Sequence, residues 1–188
     1  MTLDRKGFTL LEFLVVLSII LILTAITVPS YRSAQRQYAL ENAAQKLVQD
    51  IRRVEEMAMA SKEIINPKNS TEKIFPKGGY GIHFQQTPQE IIIFADCNNN
   101  QLYTSGNHCG SGMNKFPELV ESLTLESGII ITDLSPSPFC DIVFKPPDPT
   151  VSINPGSATS ATITLSLVND RTKTKKIHIS NSGLIYVE

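Results

Sequence analysis

One uninterrupted apolar run near the N-terminus limits what this chain can fold into. Residues 8–28 read FTLLEFLVVLSIILILTAITV, and the one charged side chain among them is Glu12. As an α-helix the run would be about 31 Å long, which matches the roughly 30 Å hydrocarbon core of a bilayer. The next charged residue along the chain is Arg32. The run is therefore predicted to be a membrane-spanning helix.

The residues before the apolar run predict its orientation. Residues 1–7 are polar and include Asp4, Arg5 and Lys6. A basic flank favours the cytoplasmic side, so the chain after Val28 is expected to lie across the membrane. The run is longer than the apolar part of an ordinary secretory signal, and no A-x-A cleavage site follows it.

Glu12 is the unusual feature of this segment. A carboxylate at the edge of hydrocarbon costs free energy unless it reaches interfacial water or has a partner or a function. Both explanations are compatible with the apolar run alone.

The residues around Glu12 resemble the processing site of type IV prepilins. The stretch Lys6-Gly7-Phe8-Thr9-Leu10-Leu11-Glu12 has the family's basic leader ending in glycine, then Phe, Thr, apolar residues and Glu before an apolar helix. The resemblance implies that a prepilin peptidase cuts between Gly7 and Phe8 and methylates Phe8. It also implies that Glu12 pairs with the N-terminal amine of a neighbouring filament subunit.

The helix is expected to continue beyond the membrane. Pro29 lies where many pilins have a helix-disturbing proline, and it predicts a kink or a short melted stretch at Thr27–Ser30. Apolar residues then recur at helical spacing to about Ala60, which predicts a stripe that packs on a domain. The stripe comprises Leu40, Ala44, Leu47, Val48, Ile51, Val54 and Ala58. On the polar faces, Asp50 with Arg53 and Arg52 with Glu56 are spaced to pair.

The remainder of the chain is predicted to be β-rich. Ile64–Gly79 is polar, with two prolines, and is interpreted as a connecting loop. Short apolar or alternating segments separated by Gly, Pro and Asn then indicate about eight antiparallel strands. They are Tyr80–Phe84, Glu90–Ala95, Leu123–Leu125, Ile129–Thr132, Ile142–Phe144, Ala161–Leu167, Lys176–Ser180 and Leu184–Val187.

This half also resembles the GspH/FimT group of minor pilins and pseudopilins. The resemblance rests on Gly79–Ile82, on Ile93–Asp96 with the Asn-rich turn after it, and on Ile177–Val187. Asn107–Glu121 and Lys145–Ser160 are left unassigned.

These patterns predict an α+β fold, in which a long N-terminal helix packs on a small antiparallel β-sandwich. Its first half spans the membrane and its second half is amphipathic. The expected divisions are a leader (1–7), a transmembrane and filament-core helix (8–29), the amphipathic helix continuing into the domain (30–63), and the β-rich GspH/FimT-like domain (64–188).

Three cysteines bear on the compartment of this domain. Cys97, Cys109 and Cys140 form no C-x-x-C pair, and outside the cytoplasm one disulfide and one remaining thiol are expected. Three pairings are open. Cys97 with Cys109, which closes a short polar loop, is favoured.

The sequence gives little support for a metal site or a catalytic site. Asp96, Asn98 and Asn100 have the alternating spacing of a calcium loop, but Gln101 and Asn107 stand where glycine and glutamate are needed. A plain Asn-rich turn is favoured. A zinc site would have to combine His83 and His108 with the cysteines at a spacing that fits no zinc pattern. No catalytic motif is present, so no enzyme activity, cofactor or metal is expected.

Charge argues against a general nucleic-acid-binding protein. The formal net charge is −1, and the one concentrated basic patch comprises Arg171, Lys173, Lys175 and Lys176. A solvated hairpin end is the ordinary interpretation. Weak, salt-sensitive DNA binding is the alternative, because some FimT-like pilins help to capture DNA.

The function expected from the resemblance is structural. The chain would be a minor pilin or pseudopilin, held by one helix in a bacterial inner membrane, with its domain periplasmic or extracellular. It would act in filament initiation or at the tip of a type II secretion pseudopilus or a type IV pilus. Its expected partners are other pilin subunits, the prepilin peptidase and an inner-membrane assembly platform. A membrane-anchored binding module outside any filament is the alternative from another class.

Overall fold

The computed structural model describes most of the chain. It covers Gly7 and residues 9–66, 69–87, 89–106, 108–110, 115–147 and 151–188. The chain divides into two compact units, Met1–Tyr38 and Ala39–Glu188.

A single α-helix, α1, extends from Leu10 to Met59 and belongs to both units. In the first unit its large apolar side chains are exposed, from 82% at Leu10 to 42% at Val28. An 18-residue window of this helix has a mean hydropathy of 2.7, and none of the window is buried in the protein. By length and composition the segment is compatible with a single membrane anchor.

Pro29 does not interrupt α1. The helix continues through Thr27–Ser30, so the melted stretch expected there is wrong, whereas a bend at Pro29 stays a prediction. A proline removes one backbone hydrogen bond, and the turns on both sides continue the helix here.

The second half of α1 buries the predicted stripe. The seven stripe residues are each at most 7% exposed, and Ala43 joins them. Arg53 pairs with Asp50 as expected, at 3.3 Å, and also with Glu121 at 3.0 Å. No ion pair of Arg52 with Glu56 occurs in this part of the helix.

The end of α1 has a capping motif. Ser61 has a left-handed backbone with φ 46°, the Ser61 N–H donates to the Ala58 carbonyl, and the Lys62 N–H donates to the Met57 carbonyl. This pattern is a Schellman motif, which satisfies carbonyls at the helix end. The Tyr80 hydroxyl donates to the Lys62 carbonyl at 2.7 Å and ties the next strand to this end.

In the described residues after α1, thirteen strands are present, and all of them pair antiparallel. They are β1 Ile64–Asn66, β2 Asn69–Ile74, β3 Tyr80–Gln85, β4 Glu90–Ala95, β5 His108–Cys109, β6 Phe116–Pro117, β7 Leu119–Leu123, β8 Ile129–Ser135, β9 Phe139–Phe144, β10 Val151–Asn154, β11 Ser160–Leu167, β12 Asp170–Ser180 and β13 Ile185–Val187. The two main sheets have the orders β10-β9-β3-β4-β7 and β13-β12-β11-β8, and β1-β2 and β5-β6 form small two-stranded sheets.

One hydrophobic core joins the second half of α1 to both main sheets. Ile51 of α1, Ile82 of β3 and Ile163 of β11 belong to the same buried cluster. Because side chains alternate along a strand, one face of β3 lies in this core. The odd-numbered residues of β11 also lie in the core, as the predicted alternation requires. The predicted α+β class is confirmed, with the helix packed on antiparallel sheets.

The interpretation of Ile64–Gly79 as a loop is wrong. The segment contains the hairpin of β1 and β2, in which Ile64 lies opposite Ile74. Lys73 of β2 pairs with Glu63 at 2.8 Å. β1 and β2 form a separate two-stranded sheet, in which Ile64 packs against the main core while most of the other residues are polar.

Other short strands were also missed or misplaced. Both unassigned segments contain strands, namely β5, β6 and β7 in the first and β10 in the second. The strand predicted at Leu123–Leu125 instead ends at Leu123 and begins at Leu119. β7 lies at a sheet edge, where Leu119 and Val120 stay exposed, so no burial alternation marks it in the sequence.

Replacing Ile51 by alanine should destabilise the β-rich unit by about 2–5 kcal/mol, because Ile51 is completely buried between helix and sheets. Ile65→Ala is the matched control at a position 56% exposed, with an expected cost below about 1 kcal/mol. Urea unfolding of the detergent-solubilised full chain measures both. Equal costs would contradict the packing described here.

Candidate functional site

The N-terminal segment forms a capping box at the start of α1. Glu12 Oε2 accepts from the Thr9 backbone N–H and from the Thr9 hydroxyl, both at 3.2 Å. The Thr9 hydroxyl oxygen in turn accepts from the Glu12 N–H at 3.2 Å. This reciprocal pair satisfies backbone donors that the first turn of a helix leaves without partners. Glu12 therefore has a local structural function at the place where the apolar run begins.

The capping box gives Glu12 partners within its own chain. Its negative charge also lies in the first turn, where the helix dipole favours an anion. The sequence signal for this motif is T-x-x-E, spelled by Thr9-Leu10-Leu11-Glu12. The sequence-based expectations for Glu12 were contact with interfacial water or pairing with a neighbouring subunit, and they did not include this capping box.

Gly7 precedes the helix and is exposed. A Cβ added to Gly7 would meet nothing within 4 Å, and its backbone is not in the left-handed region. The described fold therefore makes no demand for glycine at this position. Phe8 and residues 1–6 lie outside the described residues.

The hydroxyl side chains farther along the apolar helix form hydrogen bonds with backbone carbonyls of the same helix. The hydroxyls of Ser18, Thr24 and Thr27 donate to the carbonyls of Val15, Ile20 and Leu23, at 2.7, 2.7 and 3.0 Å. Hydroxyls bonded in this way add little cost in an apolar environment. Glu12 is the one ionisable side chain among the described residues 9–28.

A disulfide joins Cys97 to Cys109, with the two Cα atoms 5.2 Å apart. Cys140 is a buried free thiol, and burial raises its pKa to about 12. A buried thiol with a raised pKa is chemically inert while the fold is intact.

The Asn-rich turn uses its oxygen atoms for its own backbone. The Asp96 carboxylate accepts from the N–H groups of Asn100 and Gln101 at 3.1 and 2.8 Å. The Asn98 side chain also accepts from Asn100 N–H, at 3.0 Å. Burial raises the pKa of Asp96, although these bonds act in the opposite direction. The geometry is that of Asx turns.

The residues considered for zinc are engaged elsewhere. Cys97 and Cys109 form the disulfide, and His83 contacts Asp141. In the part of the chain that the structure describes, no three His, Cys, Asp or Glu side chains cluster as a metal site would require.

The basic cluster is divided between two faces of its sheet. In the pairing of β12 with β11, Lys175 lies opposite Leu165 and Lys176 lies opposite Thr164. Neighbouring residues of a strand point to opposite faces. Lys175 also pairs with Glu41 of α1 at 2.7 Å, which lowers the pKa of Glu41. Arg171 and Lys173 are exposed. Because Lys175 and Lys176 lie on opposite faces of the strand, the four residues do not all share one face.

Comparison with known proteins supports the N-terminal segment. A family model described as the prokaryotic N-terminal methylation motif matches residues 3–28. This range includes Gly7, Phe8 and Glu12 and most of the exposed apolar helix. Residues 3–28 thus carry the motif of type IV pilin-like proteins, and this range contains the first part of the long helix α1.

No curated protein and no solved structure matches the chain. The resemblance of the β-rich unit to the GspH/FimT group stays a prediction.

Counting reactive thiols tests the cysteine arrangement. We expect no alkylation by a thiol reagent in the native chain, one alkylated cysteine after denaturation without reductant, and three after denaturation with reductant. Mass spectrometry of peptides should place the single modification on Cys140. Modification of Cys97 or Cys109 without reductant would contradict the disulfide.

Proposed function

We propose that this chain is a structural subunit, a minor pilin or pseudopilin, of a type IV pilus or of a type II secretion pseudopilus. The observation that carries the proposal is the methylation motif over residues 3–28, which includes the part of α1 whose large apolar side chains are exposed in the described structure. Its function would be mechanical, as part of the initiating complex or tip of a filament, and not enzymatic.

In this proposal, the newly synthesised chain is first inserted into a bacterial inner membrane. Arg5 and Lys6 hold the leader on the cytoplasmic side, and the β-rich unit lies across the membrane. The Cys97–Cys109 disulfide supports an oxidising compartment for that unit.

Processing is proposed between Gly7 and Phe8. The proposed cleavage position precedes α1, whose first residue is Leu10. Because the described fold does not require glycine at position 7, we assign that requirement to recognition by the prepilin peptidase. Cleavage removes Arg5 and Lys6 and leaves a new amine on Phe8, which would then be methylated.

Assembly is proposed to replace lipid by neighbouring helices around the apolar half of α1. Packing among such helices is mostly dispersion, which gives little information about register. A charge pair supplies that information, as a buried polar group does in a coiled coil. Glu12 would pair with the Phe8 amine of a neighbouring subunit, and at about 4 Å and an effective dielectric of about 20 such a pair gains about 4 kcal/mol.

The capping box explains how the Glu12 carboxylate is stabilised before assembly. Before assembly its carboxylate is bound by Thr9 of the same chain, so it has hydrogen-bond partners at the membrane surface. Partners in the proposed filament would be other pilin-like subunits and the assembly platform.

DNA capture receives less support from the geometry. Lys175 is engaged by Glu41, and Lys176 points to the other face of the sheet. An anchored module outside any filament differs in a measurable way, since it would not need Glu12.

The test compares Glu12→Gln with Glu12→Ala in cells that carry the whole assembly system. Glutamine keeps the capping-box bonds but removes the charge, whereas alanine removes both. We expect both variants to insert into the membrane and both to lose at least about tenfold in incorporation into sheared filaments, because the intersubunit charge pair is absent.

Glu56→Gln, the same change at an exposed position in the second half of α1, is the control and should incorporate normally. If Glu12→Gln incorporates normally and Glu12→Ala does not, the capping box is the essential function and the charge pair is refuted. Normal incorporation of both variants would refute the filament function of Glu12.

A further inference from the structure

A buried His–Asp pair lies on the face of the five-stranded sheet that points away from α1. His83 of β3 lies opposite Asp141 of β9 and opposite Ile92 of β4 in the strand register. The adjacent row holds Gln85, which is opposite both Phe139 and Glu90. Residues paired in this way share one face, so the sheet gathers an imidazole, two carboxyl groups, an amide and an aromatic ring.

The His83–Asp141 contact is short and buried. His83 Nδ1 lies 2.6 Å from Asp141 Oδ1, with His83 5% exposed and Asp141 0% exposed. A carboxylate can only accept, so Nδ1 carries the hydrogen and the ring orientation is fixed. The other nitrogen, Nε2, has a longer contact of 3.4 Å to Gln85 Oε1.

The disulfide loop brings Tyr103 over this pair. The Tyr103 N–H donates to Asp141 Oδ2 at 3.2 Å, and the Gln101 carbonyl accepts from the Asn154 side chain at 3.0 Å. The Tyr103 ring lies 5.1 Å from His83 and 5.4 Å from Phe94. Together these bonds hold a loop that would otherwise lie free on the sheet.

Gly81 explains how the rings fit there. A Cβ at Gly81 would lie 2.5 Å from the Phe94 ring and 3.0 Å from Val143. The missing side chain therefore lets Phe94 lie flat over β3, and Tyr103 packs on it beside His83.

An open cavity of about 360 Å³ remains beside these rings. Volumes near this size are in the range of ligand sites. The described residues that line it include no lysine or arginine, and one exposed carboxylate, Glu90. The described residues in the lining include His83, Gln85, Glu90, Tyr103, Pro138 and Phe139.

Among the described residues that line the cavity, Glu90 is the one with a formal charge. Burial, and then the charges of Glu90 and Glu118, raise the pKa of the Tyr103 hydroxyl. Tyr103 and Phe139 are both half-buried and keep part of each ring open to the cavity. Aromatic faces beside a carboxylate, with no competing cation, are the surroundings that an organic cation prefers.

We propose that this cavity binds the guanidinium group of an arginine side chain from a partner polypeptide. A planar guanidinium stacks on an aromatic ring and pairs with a carboxylate, whereas a compact ammonium is more strongly hydrated and stacks less well. Glu90 supplies the charge, Tyr103 and Phe139 supply the rings, and Gln85 supplies a carbonyl acceptor at the rim. Asp141 positions His83, which forms the floor.

Titration of the full chain in detergent micelles tests the site. The probe is N-acetyl-arginine methylamide, and N-acetyl-citrulline methylamide is its uncharged counterpart of the same shape. We expect saturable binding of the arginine probe in the millimolar range and binding about tenfold weaker for the citrulline probe. Isotope-labelled histidine should show the shift at His83 and none at His178.

Two variants locate the binding. Glu90→Gln should weaken the arginine probe about tenfold, whereas Glu126→Gln, the same change at an exposed carboxylate outside this cavity, should leave it unchanged. Equal binding of both probes, equal effects of both variants, or no binding at all would overturn the proposal.

Titration with a short arginine-containing peptide tests whether the bound guanidinium belongs to a polypeptide or to a small molecule. A peptide that binds at least as well as the single amino-acid derivative supports a partner polypeptide. A peptide that is excluded while the derivative binds would overturn the partner and leave a small-molecule site.

Discussion

The apolar surface of the first half of α1 is the constraint that determines which environment this chain can occupy. Its large side chains from Leu10 to Val28 are 42% to 82% exposed, and the described part of the chain offers them no cover. Burial of apolar surface stabilises by roughly 25 cal/mol per Å², so water is a poor environment for this helix. Lipid and the helices of other subunits are the two apolar environments that can replace it.

In the proposed filament, Glu12 is the group that would distinguish those two environments. In the single chain its carboxylate caps the helix through Thr9, which keeps it bonded at the edge of the apolar run. Removal of residues 1–7 would create an amine that this carboxylate can bind in another subunit. The β-rich unit has its own core and its own disulfide, so its stability does not rest on the apolar half of the helix.

The parts of the fold that periodicity encodes were predictable, and the parts that depend on distant residues were not. The buried stripe of α1 and the alternation of β11 repeat every few residues, so the sequence displays them directly. The β1–β2 hairpin and edge strand β7 are polar or exposed and lack such a pattern. His83 and Asp141 are 58 residues apart and meet only through the register of β3 and β9. The capping box, by contrast, lies within the four residues Thr9 to Glu12, so its T-x-x-E spacing is visible in the sequence.

The mass of the intact protein, purified from the membrane of its own host, tests the central claim most directly. Entry into the pilin pathway predicts a mature chain that begins at Phe8 and carries one methyl group on the new amine. A chain that retains residues 1–7, or that begins at Phe8 without the methyl group, would contradict the account. Retention of the leader would leave a plain membrane-anchored module as the better description.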